Sequence, residues 1–210
     1  MVLESFEGNK YLEPFYEEMK KVGPNAYNKY AYPVQMIFLK SRLKRENTCN
    51  DLNHTYIIDR SIFEDKYIFA ENQRRTHQIS EEEYAEYLQF FEENYKTVRS
   101  LDVVVYIRVG VEKLVERIRK RGRDIESDID PAYLGSLQVL YEECLLPALR
   151  EMNKGRESLV LVYDANEIDA DSLAQRCYED IMAWVATRGK TSGEDGEASG
   201  MVEEEVEEDN

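Results

Sequence analysis

The chain lacks what would staple or anchor it from outside. Its 210 residues hold three cysteines, Cys49, Cys144 and Cys177, odd in number and far apart. No CxxC pair and no histidine cluster accompanies them, which excludes a disulfide framework and a cysteine–histidine metal site. They read as thiols of a reducing compartment, so the expected location is cytoplasmic. No apolar run approaches the ~20 residues needed to cross a bilayer, and nothing at the start reads as a signal peptide. Basic residues are outnumbered, 27 against 43 acids, for a net charge of −16. Phosphates repel such a chain, which excludes a general nucleic-acid binder while leaving room for a local arginine cluster.

What is present suffices for one domain of ordinary size, because 42% of the residues are apolar. Residues 189–210 are the exception, rich in Glu, Gly and Ser with almost nothing apolar. Burial cannot offset the ordering entropy there, so a disordered acidic tail is expected beyond a domain over 1–188.

Three apolar runs, Thr55–Ile58, Val103–Ile107 and Leu159–Tyr163, are rich in β-branched and aromatic residues and do not alternate with polar ones. That pattern suits strands buried on both faces, as in a parallel sheet. Helices are expected between them over Tyr11–Lys21, Tyr32–Arg45, Ser80 to about Val98, Val111–Arg121, Asp130 to about Met152, and Ala170 to about Thr187. Val34, Ile37, Phe38 and Leu39 are expected on the inner side of the second. Ser80 with Glu83 forms a capping box, Asp130 and Pro131 suit N-cap and N1, and Pro147 is expected to kink its helix. Strands separated by helices predict an α/β fold, a three-layer parallel sheet with helices on both faces and its ligand site past the carboxyl ends of the strands.

Four groups of residues could carry chemistry. Asp59-Arg60-Ser61 follows the first run, where an arginine can bridge a phosphate and a carboxylate; a polar strand end capping the next helix explains it as well. Arg117, Arg121 and Arg123 lie in a basic stretch around Gly122, suited to clamping a transferring phosphate or to a solvated helix face. Gln35 and Arg42 are seven residues apart on one helix face and can read a nucleobase edge, although a surface Gln and Arg is the commoner case. Asp164 follows the third run as a lone acid.

In this order the pieces resemble the deoxynucleoside kinase family, from about Leu3 to Asp169. Ile58 to Asn72 looks like the family's (Glu/Asp)-Arg-Ser motif and following helix. Arg121-Gly122-Arg123 with Glu126, then Tyr133-Leu134, looks like its lid, and Val162-Tyr163-Asp164-Ala165 like the strand and loop beside the adenine of ATP. The resemblance implies a P-loop nucleoside kinase fold that uses ATP and Mg²⁺. Position by position, it implies Glu4 as the base that takes the proton of the 5′-hydroxyl and Arg60 beside that hydroxyl and the transferred phosphate. Asp59 stands near the metal, and Tyr16 and Glu126 on the 3′-hydroxyl. Gln35, Arg42 and Asp65 read the base, Phe69 stacks on it, and Arg117, Arg121 and Arg123 close the lid. The Arg42 and Asp65 pair goes with deoxyadenosine, deoxyguanosine or deoxycytidine, and the overall look with the two purines. Family members are commonly dimers, which implies a homodimer.

Where the family has a strand and a Gly-x-x-x-x-Gly-Lys-Ser/Thr loop to cradle the ATP phosphates, these 210 residues have none. Gly189-Lys190-Thr191 lacks a glycine five residues earlier and follows a helix. The chain is therefore expected to begin one βα unit late, as an incomplete gene model, a spliced form or a fragment, and to turn over little substrate; a lost start that carried a targeting peptide would make the location mitochondrial. Ser5 stands where the family has proline, and Val22–Lys29 looks like an insertion at the mouth of the nucleoside pocket. Two other readings remain open: a non-catalytic homologue serving as a scaffold or binding subunit, as an accessory subunit of respiratory complex I resembles these kinases, and a thymidylate-type nucleotide kinase.

Overall fold

In the computed structural model, residues 9–51, 53–122, 129–152 and 158–191 are described. Helix α1, Leu12–Val22, stops at Gly23, whose φ of 91° an L side chain rarely adopts. The segment after it is pinned rather than free. Asn28 donates from its amide side chain to Phe15 O, and Gln78 does the same to Pro24 O, each at 2.9 Å. Helix α2 runs over Ala31–Asn47. Its buried face holds Val34, Leu39 and Leu43 but also Gln35, Arg42 and Glu46. Ile37 and Phe38, expected on that face, are only partly buried.

After α2 the chain departs from the expected strand. Thr55–Ile58 is not a strand; only Ile58 makes an isolated bridge, and Ile57 is 67% exposed. Strand conformation belongs to a pair, and an apolar run without a ladder partner among the described residues stays irregular. The next helix is continuous but uneven: α3 over Ile62–Glu64, a π-helical stretch over Asp65–Ala70, and α4 over Glu71–Arg75. Helix α5, Glu81–Asn94, begins with the expected capping box and ends in a 3₁₀ turn at Tyr95–Thr97, short of Val98. Leu39 and Leu43 of α2 form a core with Ile62, Ala70, Tyr87 and Phe91.

Strand β1 spans Val103–Arg108 and β2 spans Leu159–Asp164. Leu159 N donates to Asp102 O and Ala165 N to Arg108 O, at 2.9 and 2.8 Å. The two bonds advance together along both strands, so the pair is parallel. Helix α6, Val111–Arg121, ends at Gly122 with a left-handed φ of 68°. Helix α7, Pro131–Leu140, opens on the Asp130 cap and leads through a π-helical turn, Tyr141–Leu145, into α8, Leu146–Met152. The expected kink at Pro147 is taken up by that turn: a proline cannot donate to the carbonyl four residues back, and one inserted residue re-spaces the ladder. Ile68, Leu140, Leu145 and Leu149 make a further core, with Val104 packed on it.

The chain divides into two compact units, Met1–Val104 with Val109–Val160, and Val105–Arg108 with Leu161–Asn210. In the second, α9, Ala170–Thr191, packs on β2: Tyr163 donates to Asp180 Oδ2 at 2.6 Å, under the Arg176 guanidinium. Helix α9 includes Gly189-Lys190-Thr191, assigned above to the tail; the remainder of that tail lies outside the described residues. No helix among the described residues is long and apolar enough to cross a membrane.

Candidate nucleoside site

Helix α2 presents its polar residues to the helix that follows Ser61. Arg42 donates to Asp65 in an ion pair whose side chains are 3% and 2% exposed. Burial pushes the Asp65 carboxyl up to about 6, with the Arg42 charge and hydrogen bond opposing the rise. Gln35, two turns earlier on the same helix, is 5% exposed. Among the described residues, Gln35 Oε1 and Asp65 Oδ2 find no partner. Buried polar atoms are normally paired, so two unused acceptors beside a buried guanidinium mark a place where a ligand's donors fit. The π-helical stretch that begins at Asp65 re-aims side chains along this helix, a device common at functional sites.

Arg60 lies just before this helix in a left-handed backbone, φ 59°. Its guanidinium sits 5.0 Å from the centre of the Phe69 ring. Ser61 caps the helix: its hydroxyl accepts from Phe63 N, and Glu64 reaches back to Ser61 N. Arg45 Nη2 donates to Asp59 O and Arg60 O at 3.1 and 2.8 Å. Glu46, 1% exposed, accepts from Ile62 N at 2.8 Å. Burial pushes the Glu46 carboxyl up to about 7, opposed by that N–H and by Arg42 and Arg45. Tyr16 and Tyr133, both half-buried, reach the same region. Burial raises the Tyr133 phenol, the Tyr16 phenol adds to the rise and Arg60 opposes it.

The structure thus brings together Arg42 with Asp65 and Arg60 with Phe69, and sets Gln35 and Tyr16 in the same unit. Asp59 is exposed beside Arg60. Arg117 and Arg121 lie exposed near the end of α6, outside the buried cluster. Helix α6 itself packs on α7; a Cβ at Gly135 would stand 3.9 Å from Val111 Cγ2. Glu4, Arg123 and Glu126 lie outside the described residues. Asp164 is spent on a turn, accepting from Asn166 N and Nδ2. A cavity of about 330 Å³ lies elsewhere, lined by Lys66, Tyr67, Glu71, Tyr84 and Cys144, none of them in the expected set. Sequence reasoning misses Arg45 and Glu46 and gives Tyr133 only as part of the lid-like stretch. For Glu46 a signal exists, because it follows Arg42 by four residues and so shares its face.

No group of three acidic, histidine or cysteine side chains that could hold a metal occurs among the described residues. Mg²⁺ does not require one. It takes one or two carboxylates and otherwise water and phosphate oxygens, and the exposed Asp59 beside Arg60 fits that donor set.

A family model described as deoxynucleoside kinase matches residues 2–188. The chain is 30% identical over 142 residues to the deoxyadenosine/deoxycytidine kinase of Bacillus subtilis (strain 168), covering 67% of this chain and 62% of that protein. To the deoxyadenosine kinase of Dictyostelium discoideum it is 28% identical over 167 residues, 80% of this chain and 62% of that one. The chain therefore spans 62% of the length of both relatives. Among solved structures it resembles the deoxyadenosine kinase of M. mycoides with bound dCTP, at TM-score 0.66 and 25% identity, over 87% of this chain and 86% of that one.

Proposed function

The chain belongs to the deoxynucleoside kinase family, and on that premise we propose that its site binds a 2′-deoxynucleoside and serves transfer of the ATP γ-phosphoryl group to the 5′-hydroxyl. The observation that carries the reading is the buried Arg42–Asp65 pair with Gln35 on the same helix and two acceptors left over. An adenine edge offers an amino group to those acceptors and ring nitrogens to the Arg42 and Gln35 donors, in keeping with a purine preference. A scaffold has no use for this arrangement, since an apolar pair of similar volume is often as stable as a buried ion pair.

In this reading Phe69 stacks on the base, Tyr16 and Glu126 hold the 3′-hydroxyl, and Glu4 receives the 5′-hydroxyl proton. Arg60, kept beside Phe69, meets the phosphate oxygens, and Arg117, Arg121 and Arg123 fold over them and exclude water. Asp59 holds Mg²⁺, which when bound neutralises phosphate charge. A homodimer, on the resemblance alone, and a cytosolic location, on the free thiols, belong to the same proposal.

Calorimetric titration with deoxyadenosine tests the reading. The protein is expected to bind it, and Arg42→Ala to weaken binding about tenfold or more, because a charge-assisted hydrogen bond is lost. Absence of binding to deoxyadenosine, deoxyguanosine and deoxycytidine alike would overturn it.

A further inference from the structure

We propose that Arg45 and Glu46, in the last turn of α2, are positioning residues that tie Arg60 to the helix that reads the base. The inference rests on the nucleoside-kinase reading and adds to it the pair that sets its arginine. Arg45 Nη2 donates to the carbonyls of Asp59 and Arg60, and Glu46 Oε1 accepts from Ile62 N. The two side chains therefore grip the backbone at Asp59, at Arg60 and two residues on at Ile62, from one turn of one helix.

The grip is more than the turn needs for folding. The helix from Ile62 already has its own cap, Ser61, completed by Glu64. Ile62 N sits in the first turn, where water is the usual acceptor. Supplying it instead from a carboxylate that is 1% exposed is a demanding solution. Glu46 Oε2 has no partner among the described residues, so packing alone does not explain the acid. Three charged groups act on it, Arg42 and Arg45 from α2 and Glu64 from α3, together with the Ile62 N–H at a helix start that favours an anion. Meanwhile Arg60 holds φ 59°, which a non-glycine residue keeps only where its surroundings dictate it.

The consequence is a mechanical link. Gln35, Arg42, Arg45 and Glu46 share α2, so the helix that meets the base also sets the height and direction of the guanidinium meant for phosphate. A nucleoside seated on Gln35 and Arg42 then finds Arg60 already aimed.

The test separates this role from simple folding. Wild type, Arg45→Met, Glu46→Ala and Glu46→Gln are titrated with deoxyadenosine and with its 5′-monophosphate, and amide exchange is followed over 57–64 and over α5. In Arg45→Met and Glu46→Ala the preference for the monophosphate is expected to fall at least fivefold, with deoxyadenosine affinity within twofold of wild type. Exchange over 57–64 is expected to quicken about tenfold while α5 keeps its protection. Glu46→Gln, which still offers an oxygen to Ile62 N, is expected to restore both. An unchanged preference, equal loss for both ligands, equal loosening of α5, or failure of the glutamine to rescue would each overturn the link. If wild type binds neither ligand, the kinase reading fails, and the exchange rates still decide whether the two residues hold the turn.

Discussion

Glu46 keeps a carboxyl group where burial pushes it up to about 7, and Asp65 another at about 6. Between about pH 4.5 and 7 the folded protein therefore holds protons that the unfolded chain has released. Stability falls as pH rises through that window, because the unfolded state binds fewer protons. Glu71 has the opposite sign: burial works against it, but hydrogen bonds from Arg74, Arg75 and Tyr84 hold it down at about 2. Its contribution is complete above the ordinary glutamate range and is lost as pH drops toward 2. Glu46→Gln removes the Glu46 share of the first effect and leaves Asp65 and Glu71 as they are. Urea denaturation is expected to show the variant more stable than wild type by about 2 kcal/mol at pH 8 and equal to it at pH 5. Equal midpoints at both pH values would mean that Glu46 is not buried as a titrating acid. At this scale the buried polar cluster was legible in part: spacing put Gln35 and Arg42 on one helix face, and the resemblance added Asp65, which pairs with Arg42. Glu46 was marked only by its four-residue spacing from Arg42: an acid among Lys44, Arg45 and Asn47 otherwise reads as a solvated helix end until the helix from Ile62 arrives to cover it.

Among the elements, end signals were the most readable. Ser80 with Glu83, Asp130 with Pro131, and Gly122 stand where their chemistry put them. The alternative reading of Asp59-Arg60-Ser61 as a cap for the next helix holds at Ser61, whose box Glu64 completes. Thr55–Ile58 was unreadable as irregular chain, because its composition is that of a strand and only a neighbour's hydrogen bonds make it one. The two π-helical stretches leave no mark in composition; Pro147 alone hints at the second. Ser80→Ala is expected to cost about 1 kcal/mol, seen as a lower urea midpoint with an unchanged slope, because the cap of α5 is lost. A wild-type midpoint would show the box to be redundant with the Tyr27 hydrogen bond to Glu83.

For the whole molecule, α/β class and a parallel strand pair followed from three apolar runs, although only two became strands. On that pair Val105, Ile107 and Val162 are exposed, at 38%, 47% and 36%. With Val103 beside Leu159, alternation along the parallel strands puts Val105 and Ile107 on one face and Val162 on the other. A chain with net charge −16 resists non-specific association, but an open apolar face still attracts apolar probes. Ile107→Lys is expected to lower the binding of a hydrophobic dye and raise the temperature at which aggregation begins. The unfolding midpoint should stay within about 0.5 kcal/mol of wild type, as for other exposed positions. Unchanged dye binding would mean that the face is already covered.

The left-handed backbone at Arg60 separates shape from charge. On conformational grounds alone that position belongs to glycine, which visits the region freely, whereas an arginine there is held about 1 kcal/mol uphill. The chain thus places its long cation at a residue where the peptide would relax without it. What the turn preserves is the charge at its tip, and the backbone has been bent to suit.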